Sequence, residues 1–316
     1  MTDKTPERGQ FAAPVSPPAT PSGDQQGKAV LIMCSVAFLF GMQDGMSRVL
    51  GANYSPFFIV MLRYWAMAAF VIAMALRSPG GLRRVIHSRR PLTQILRGVL
   101  LVLEIVVMIE AFVRLGLIAT HAIFACGPLL VVALSGPVLG EKVGWRRWAA
   151  VGVGFIGILI VLNPVGAVFS WDLLLPFVGA TMFAVYLVAT RHVSRDDLAE
   201  VSFFWSCIAG ALVATLLGWR TMEPIATPHI PRMILLCCTG ALAHYLLIRC
   251  YEMAEASSLQ PFSYTQLLWI TLLGVMVFNE SLTPNVVIGG LITVSASLFT
   301  WWRERQKRGL NRSAAG

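Results

Sequence analysis

The apolar residues of this chain come in runs of about 20, the length an α-helix needs to cross a hydrocarbon core roughly 30 Å thick. There are ten such runs, at 29–48, 55–76, 93–114, 118–139, 147–163, 171–191, 200–219, 232–252, 257–278 and 285–302. The connections between them are short and rich in turn formers, as in NYSP, RSPGG, NPVG, MEPIATP and NESLTPN. No soluble domain of any size fits in those gaps. The pattern predicts an all-α polytopic membrane protein with ten transmembrane helices. Residues 1–28, rich in Pro, Ser, Gly and Gln, have no apolar run and read as a disordered tail rather than a signal peptide. Residues 303–316 read as a short basic tail.

The chain also matches itself. HAIFACGPLLVVALSGPVLGEKVGW, around Glu141, parallels QPFSYTQLLWITLLGVMVFNESLTP, around Glu280, at an offset of 139 residues. The same offset pairs AFVRLGLIATH with CYEMAEASSLQ. Each unit would hold five spans, over 29–163 and 171–302. Because five is odd, the second copy enters from the opposite side, which makes two inverted five-helix repeats. Paired inverted halves suit a transporter, since they can exchange conformations around one central site.

Composition agrees with a lipid solvent: 56% of residues are hydrophobic, 13% are charged, and mean hydropathy is +0.70. The net charge of +9 invites a nucleic-acid reading, but its distribution points to topology. With the N-terminus inside, the inner segments hold nineteen Lys and Arg, and the outer ones hold only Arg48, Arg114, Arg220 and Arg232. Both termini are therefore expected in the cytoplasm, and no nucleic-acid partner is implied. The six cysteines lie in apolar segments without CxxC spacing and read as small packing residues, not as disulfides or metal ligands.

From Ala29 to Trp302 the chain resembles the drug/metabolite transporter (DMT) superfamily, in particular its ten-helix EamA type. The resemblance is carried by the doubled five-span unit, by GPVLGEKVGWRRWAAVGVGFIGILIVLNP and by FNESLTPNVVIGGLITVSAS. DGMSRVLG and FIVMLRYW further resemble members that handle S-adenosylmethionine, riboflavin or amino-acid-type metabolites. The lack of disulfides and the positive-inside pattern fit a bacterial inner membrane. A small-molecule substrate, a monomer or homodimer, and no cofactor or metal are expected.

Ionisable groups at mid-membrane are costly and usually face the bundle interior or a watery cavity. Arg63 lies too deep to snorkel; it either anchors an anionic group or locks two helices in an ion pair. Glu104, midway along the third span, suits a proton-coupling site or a cation contact, unless it is permanently paired with Arg63. Glu110 lies about 9 Å further along and about 120° around the helix, one turn from Arg114. Its i,i+4 spacing favours a structural or vestibule pair. Asp44 and Arg48 repeat that spacing near the outer end of the first span, where Gly41 and Gly45 permit close helix approach.

In the second half, His244 and Tyr245 lie mid-span. The ninth span opens SSLQPFSYTQLLW, where Pro261 breaks the hydrogen-bond ladder beside Tyr264, Gln266 and Trp269. Broken helices with freed backbone groups suit a substrate site, and His121 with Gly127-Pro128 occupies related depths in the fourth span. Glu141 and Glu280 sit at span ends and are expected to hold loop amides or nearby cations.

The rival from the enzyme class rests on His192 and Asp197, whose H-x4-D spacing matches glycerolipid acyltransferases; a membrane sensor or scaffold is a third class. Neither has a supporting module here, and no G-x-S-x-G, H-E-x-x-H or P-loop pattern occurs. The expectation is a secondary transporter of a small polar or zwitterionic metabolite, working by alternating access and open to proton coupling.

Overall fold

The computed structural model describes residues 23–140, 144–162, 170–253, 259 and 262–313. Its regular structure is helical: α1 (Gly23–Gly51), α2 (Pro56–Arg77), α3 (Gly81–Ile86), α4 (Pro91–Leu115), α5 (Leu117–Phe124) and α6 (Gly127–Leu139). There follow α7 (Trp145–Leu162), α8 (Leu174–Val193), α9 (Ala199–Gly218), α10 (Ile230–Met253), α11 (Thr265–Met276) and α12 (Pro284–Ser313). Eight stretches of the described residues are long and apolar enough to cross a membrane, counting α5 and α6 as one. The two further spans expected from the sequence fall outside that set: α4, which carries Arg97, Glu104, Glu110 and Arg114, and α11, which has only 12 residues.

Several boundaries differ from the apolar runs. α1 begins at Gly23, six residues before the run does, and α12 continues through the basic segment to Ser313. Lys, Arg, Glu and Gln are good helix formers, so the backbone need not stop where the apolar run does. The fourth run is two helices. Its ladder breaks at Ala125 and Cys126, ahead of Gly127 and of Pro128, which has no N–H to give. Glu141, Pro261 and the first 22 residues lie outside the described residues.

Packing inverts the soluble pattern. Leu31, Leu76, Leu216, Met276 and Leu291 are exposed, while Gln94, Arg97, Glu104, Thr120 and His121 are buried. Water would not tolerate that apolar belt; lipid does. Trp145, Trp148, Trp171 and Trp219 are exposed near helix ends, and Trp302 is exposed where the last apolar run ends, the depth of the membrane interface. Helices from the two halves of the chain interleave. α1 packs on α10 and α11, α2 on α9 and α10, α4 on α8 and α9, α5 on α11, and α7 on α12. The α7–α12 seam is the closest: a Cβ on Gly289 would stand 2.4 Å from the Gly157 carbonyl oxygen, so only glycine fits.

Candidate functional site

The interior polar groups converge from six helices, α1, α2, α4, α5, α10 and α11. On α1, Asp44 accepts through Oδ2 from Gln266 Nε2 of α11 at 3.0 Å, and the same oxygen lies 3.1 Å from His121 Nε2 of α5. The other ring nitrogen of His121 lies 3.0 Å from the Leu117 carbonyl oxygen, and the ring stacks on Phe112 with centroids 5.2 Å apart. Three elements are thus fastened through one carboxylate.

Beside it, Arg63 of α2 donates from Nη2 to Gln43 Oε1 at 2.9 Å. Among the described residues Arg63 forms no ion pair; Glu104 lies within its electrostatic reach and within that of Asp44, but is bonded to neither. Glu104 is only 6% exposed. The permanent Arg63–Glu104 lock is therefore not made. His244 of α10 also lies within reach of Arg63; it stands between Phe40 of α1 and Phe203 of α9, with Nδ1 2.9 Å from the Gly240 carbonyl oxygen.

The Asp44–Arg48 pair expected from i,i+4 spacing is not made either. Asp44 turns inward to His121 and Gln266, and Arg48 pairs with Glu280 and covers the Phe278 ring at 4.3 Å. Glu280 also accepts from the Leu117 and Ile118 amides at 2.7 and 2.9 Å, capping the N-terminus of α5. It holds loop amides and a cation at once. Glu110 and Arg114 do pair, at 2.6 Å, and Arg114 reaches Asp172 at 3.0 Å. That cluster is exposed, so its contribution is small.

Three expected wall residues stand apart from this centre. Tyr245 is 38% exposed and meets Phe70 edge-on, turned out of the bundle. The Trp269 ring meets Phe38 edge-on, 5.0 Å away, in the α1–α11 seam. The Tyr264 hydroxyl is buried beside Ser297 of α12. A helix has a full circle of directions, so depth in a span does not say which face a residue occupies.

Sequence reading missed two residues. Gln43 is 1% exposed, and its Nε2 has no hydrogen-bond partner among the described residues. An amide within a 20-residue apolar run was the available signal. Arg97 is one of the nineteen cations that the charge pattern assigns to the inner segments, yet it is 2% exposed inside α4. It donates to Thr190 Oγ1 at 2.9 Å, to Gln94 Oε1 and to the Tyr186 hydroxyl at 3.4 Å, and lies 5.1 Å from the Tyr186 ring. From Arg97 an aromatic series runs through Tyr186, Phe183 and Phe124 to His121 and Phe112, at centroid spacings of 5.2 to 6.3 Å. It covers the distance between residues 97 and 112 of α4, about 22 Å.

The H-x4-D pair does not form a dyad. His192 Nε2 meets Arg90, while Asp197 accepts from the Ser88 hydroxyl, from the Arg89 amide at 2.8 Å and from Gln94 Nε2 at 2.9 Å. Among the described residues no three His, Cys, Asp or Glu side chains gather as a metal site requires. A groove of about 660 Å³ between α7 and α12, lined by Trp145, Val153, Leu291 and Phe299, is apolar and lies on the outward face.

Comparison with known proteins gives this arrangement its context. The profile of the EamA-like transporter family matches twice, over residues 27–163 and 170–302. The chain is 21% identical over 266 residues to an S-adenosylmethionine uptake transporter of Rickettsia prowazekii, covering 84% of this chain and 89% of that protein. It is 28% identical over 291 residues to a riboflavin transporter of Vibrio cholerae, covering 89% and 92%. A solved crystal structure shares the fold with a TM-score of 0.58 at 21% identity, over 85% of this chain and 94% of that one. An apolar helical bundle with a polar centre and two matches to one transporter profile has a single family assignment: the chain is an integral membrane protein of the EamA-like transporter family, within the drug/metabolite transporter superfamily.

Proposed function

We propose that the protein is a secondary transporter of a small zwitterionic metabolite bearing a planar ring, moved by alternating access across a bacterial inner membrane. One observation carries this reading: Arg63 and Glu104 stand within electrostatic reach in the interior without being paired with each other. A guanidinium and a carboxyl group held apart beside an unpartnered Gln43 amide suit the carboxylate and ammonium of an amino-acid-type head group. The aromatic series from Arg97 to Phe112 offers faces on which a flat heterocycle can stack. S-adenosylmethionine, named for the rickettsial relatives, has both parts; riboflavin, named for others, has only the ring.

On this reading the ten spans are carried by α1, α2, α4, α5 with α6, α7, α8, α9, α10, α11 and α12. Two inverted units, 29–163 and 171–302, are supported by the packing. Exchanging α1, α2, α4, α5–α6 and α7 with α8, α9, α10, α11 and α12 carries the main contacts into one another. The contact of α1 with α10 becomes that of α8 with α4, and α2–α9, α5–α11 and α7–α12 map onto themselves. The surplus of Lys and Arg at one end supports cytoplasmic termini. Nothing favours an enzyme or a scaffold, and the family is one of transporters.

The test is counterflow of labelled S-adenosylmethionine, riboflavin and amino acids in proteoliposomes. Arg63→Ala and Glu104→Gln each remove one charge-assisted contact, about 1.5–3 kcal/mol, so KM for a zwitterion should rise roughly 10- to 150-fold. Riboflavin, without those charges, should be far less affected. Unaltered KM in both variants, or no counterflow of any of these solutes by folded protein, sinks the reading.

A further inference from the structure

Asp44 and His121 are arranged around one proton more than an ionised carboxylate and a neutral imidazole contain, and we propose that this shared proton is the carrier's coupling ion. The proposal rests on the transport activity above and names the ion that drives it.

The argument is a proton count. His121 places Nδ1 3.0 Å from the Leu117 carbonyl oxygen and Nε2 3.1 Å from Asp44 Oδ2. A carbonyl oxygen only accepts, and an ionised carboxylate only accepts. A neutral imidazole has one N–H, so one ring nitrogen would turn a lone pair onto an oxygen lone pair at hydrogen-bond distance. One further proton removes the conflict. The Phe112 face stacked on the ring favours a cation there, so the proton rests on the ring, giving an imidazolium beside the Asp44 carboxylate.

Every charged group facing the site bears on this proton. From α1 come Asp44 itself and, one turn on, Arg48, which is already committed to Glu280. From α2 comes Arg63, bonded to Gln43 beside Asp44, and from α10, which packs on α1, comes His244. From α4 comes Glu104, within electrostatic reach of Asp44. After α11 comes Glu280, whose carboxylate holds the first amides of α5. α11 offers the neutral amide of Gln266. α8 between Leu174 and Thr190 adds only the Tyr186 phenol, α6 and α12 up to Trp302 are neutral, and the cations of α7, Arg146 and Arg147, lie at its start.

The proton does structural work. Bound, it joins α1 to α5. Lost, it leaves Asp44 and Glu104 as two interior carboxylates that repel, and it breaks one of the two bonds made by the ring. α5 is eight residues long, with Gly116 at one end and the break at Ala125 and Cys126 at the other, so it can tilt as a unit when released. Two ligands, cargo and proton, thereby bias the same seam, which is what coupling requires.

Two measurements test the proposal. In the full chain in nanodiscs, ¹⁵N-histidine spectra between about pH 4 and pH 10 should show His121 passing between one-proton and two-proton forms. Asp44→Asn, which removes the carboxylate beside the ring, should alter those spectra. In proteoliposomes, a pH gradient should drive labelled S-adenosylmethionine or riboflavin against its own gradient. His121→Phe, which keeps a ring against Phe112 but holds no proton, should abolish that accumulation. Exchange by the wild type at equal pH reads the cargo assignment separately. Exchange without any response to a pH gradient overturns the coupling proposal and leaves the transporter reading standing. Absence of exchange overturns the cargo reading, and the spectra then decide the proton site: a single His121 form throughout, or no effect of Asp44→Asn, overturns it.

Discussion

Gly116 has φ +84° and ψ 174°, a backbone region that is essentially open to glycine alone. A Cβ there would also stand 2.7 Å from Glu280 Oε1. One residue therefore lets the chain turn from α4 into α5 and lets a carboxylate approach the first amides of α5. Gly116→Ala should cost about 1–3 kcal/mol for the backbone alone, and more as Glu280 is pushed off its cap. Thermal unfolding in detergent reads this, and a variant as stable as the wild type would contradict the account. The same cluster explains why Asp44 and Arg48 do not pair. The i,i+4 spacing offers a partner worth only a few tenths of a kcal/mol, and each residue finds a better-buried one on another element.

At the scale of elements, α4 is the unusual helix: long enough to span, yet carrying four charges. Its outer pair, Glu110 and Arg114, reaches the surface, and its buried pair, Arg97 and Glu104, faces other helices. Arg97 is held by Gln94, which donates in turn to Asp197 in the short segment between α8 and α9. Burial pushes the Asp197 carboxyl up, but the Ser88 hydroxyl, the Arg89 amide, Gln94 and the Arg89 charge outweigh it and hold it below its usual range. A carboxyl so depressed stabilises the fold at pH above its unfolded value, near 4, and loses that contribution as pH falls through its folded value. Asp197→Asn should therefore cost about 1.5–3 kcal/mol near neutral pH, and the gap to the wild type should close below about pH 4. A gap that stays constant with pH would show that charge is not what Asp197 supplies.

At the scale of the molecule, one end of the bundle is closed by two fastenings on neighbouring turns of α1, Asp44 to His121 and Gln266, and Arg48 to Glu280. The alternating access proposed above requires that this end open during each cycle. In a background lacking the six cysteines, Arg48→Cys with Glu280→Cys bridged by a short reversible bis-thiol reagent should arrest exchange, and reductant should restore it. Bridged protein that exchanges as fast as unbridged protein would place the moving seam elsewhere.

Much of the architecture was legible without coordinates. Apolar runs of about 20 residues have one stable solution in lipid, a helix, because each backbone group must be bonded within its own segment. Charge asymmetry and the 139-residue echo then suggest how the helices are threaded. The site was legible only as a set of depths. Asp44, Arg63, Glu104, His121, His244 and Gln266 gather or lie within electrostatic reach of one another, whereas Tyr245, as deep in its run, faces outward. A uniformly apolar helix has no pattern to mark its inner face, since lipid and bundle interior accept the same side chains. Depth therefore follows from the order of residues, but partnership waits on which helices pack together. Tertiary packing alone gave Asp44 to His121, Arg48 to Glu280 and Arg63 to Gln43, and left Glu104 without a fixed partner among the described residues.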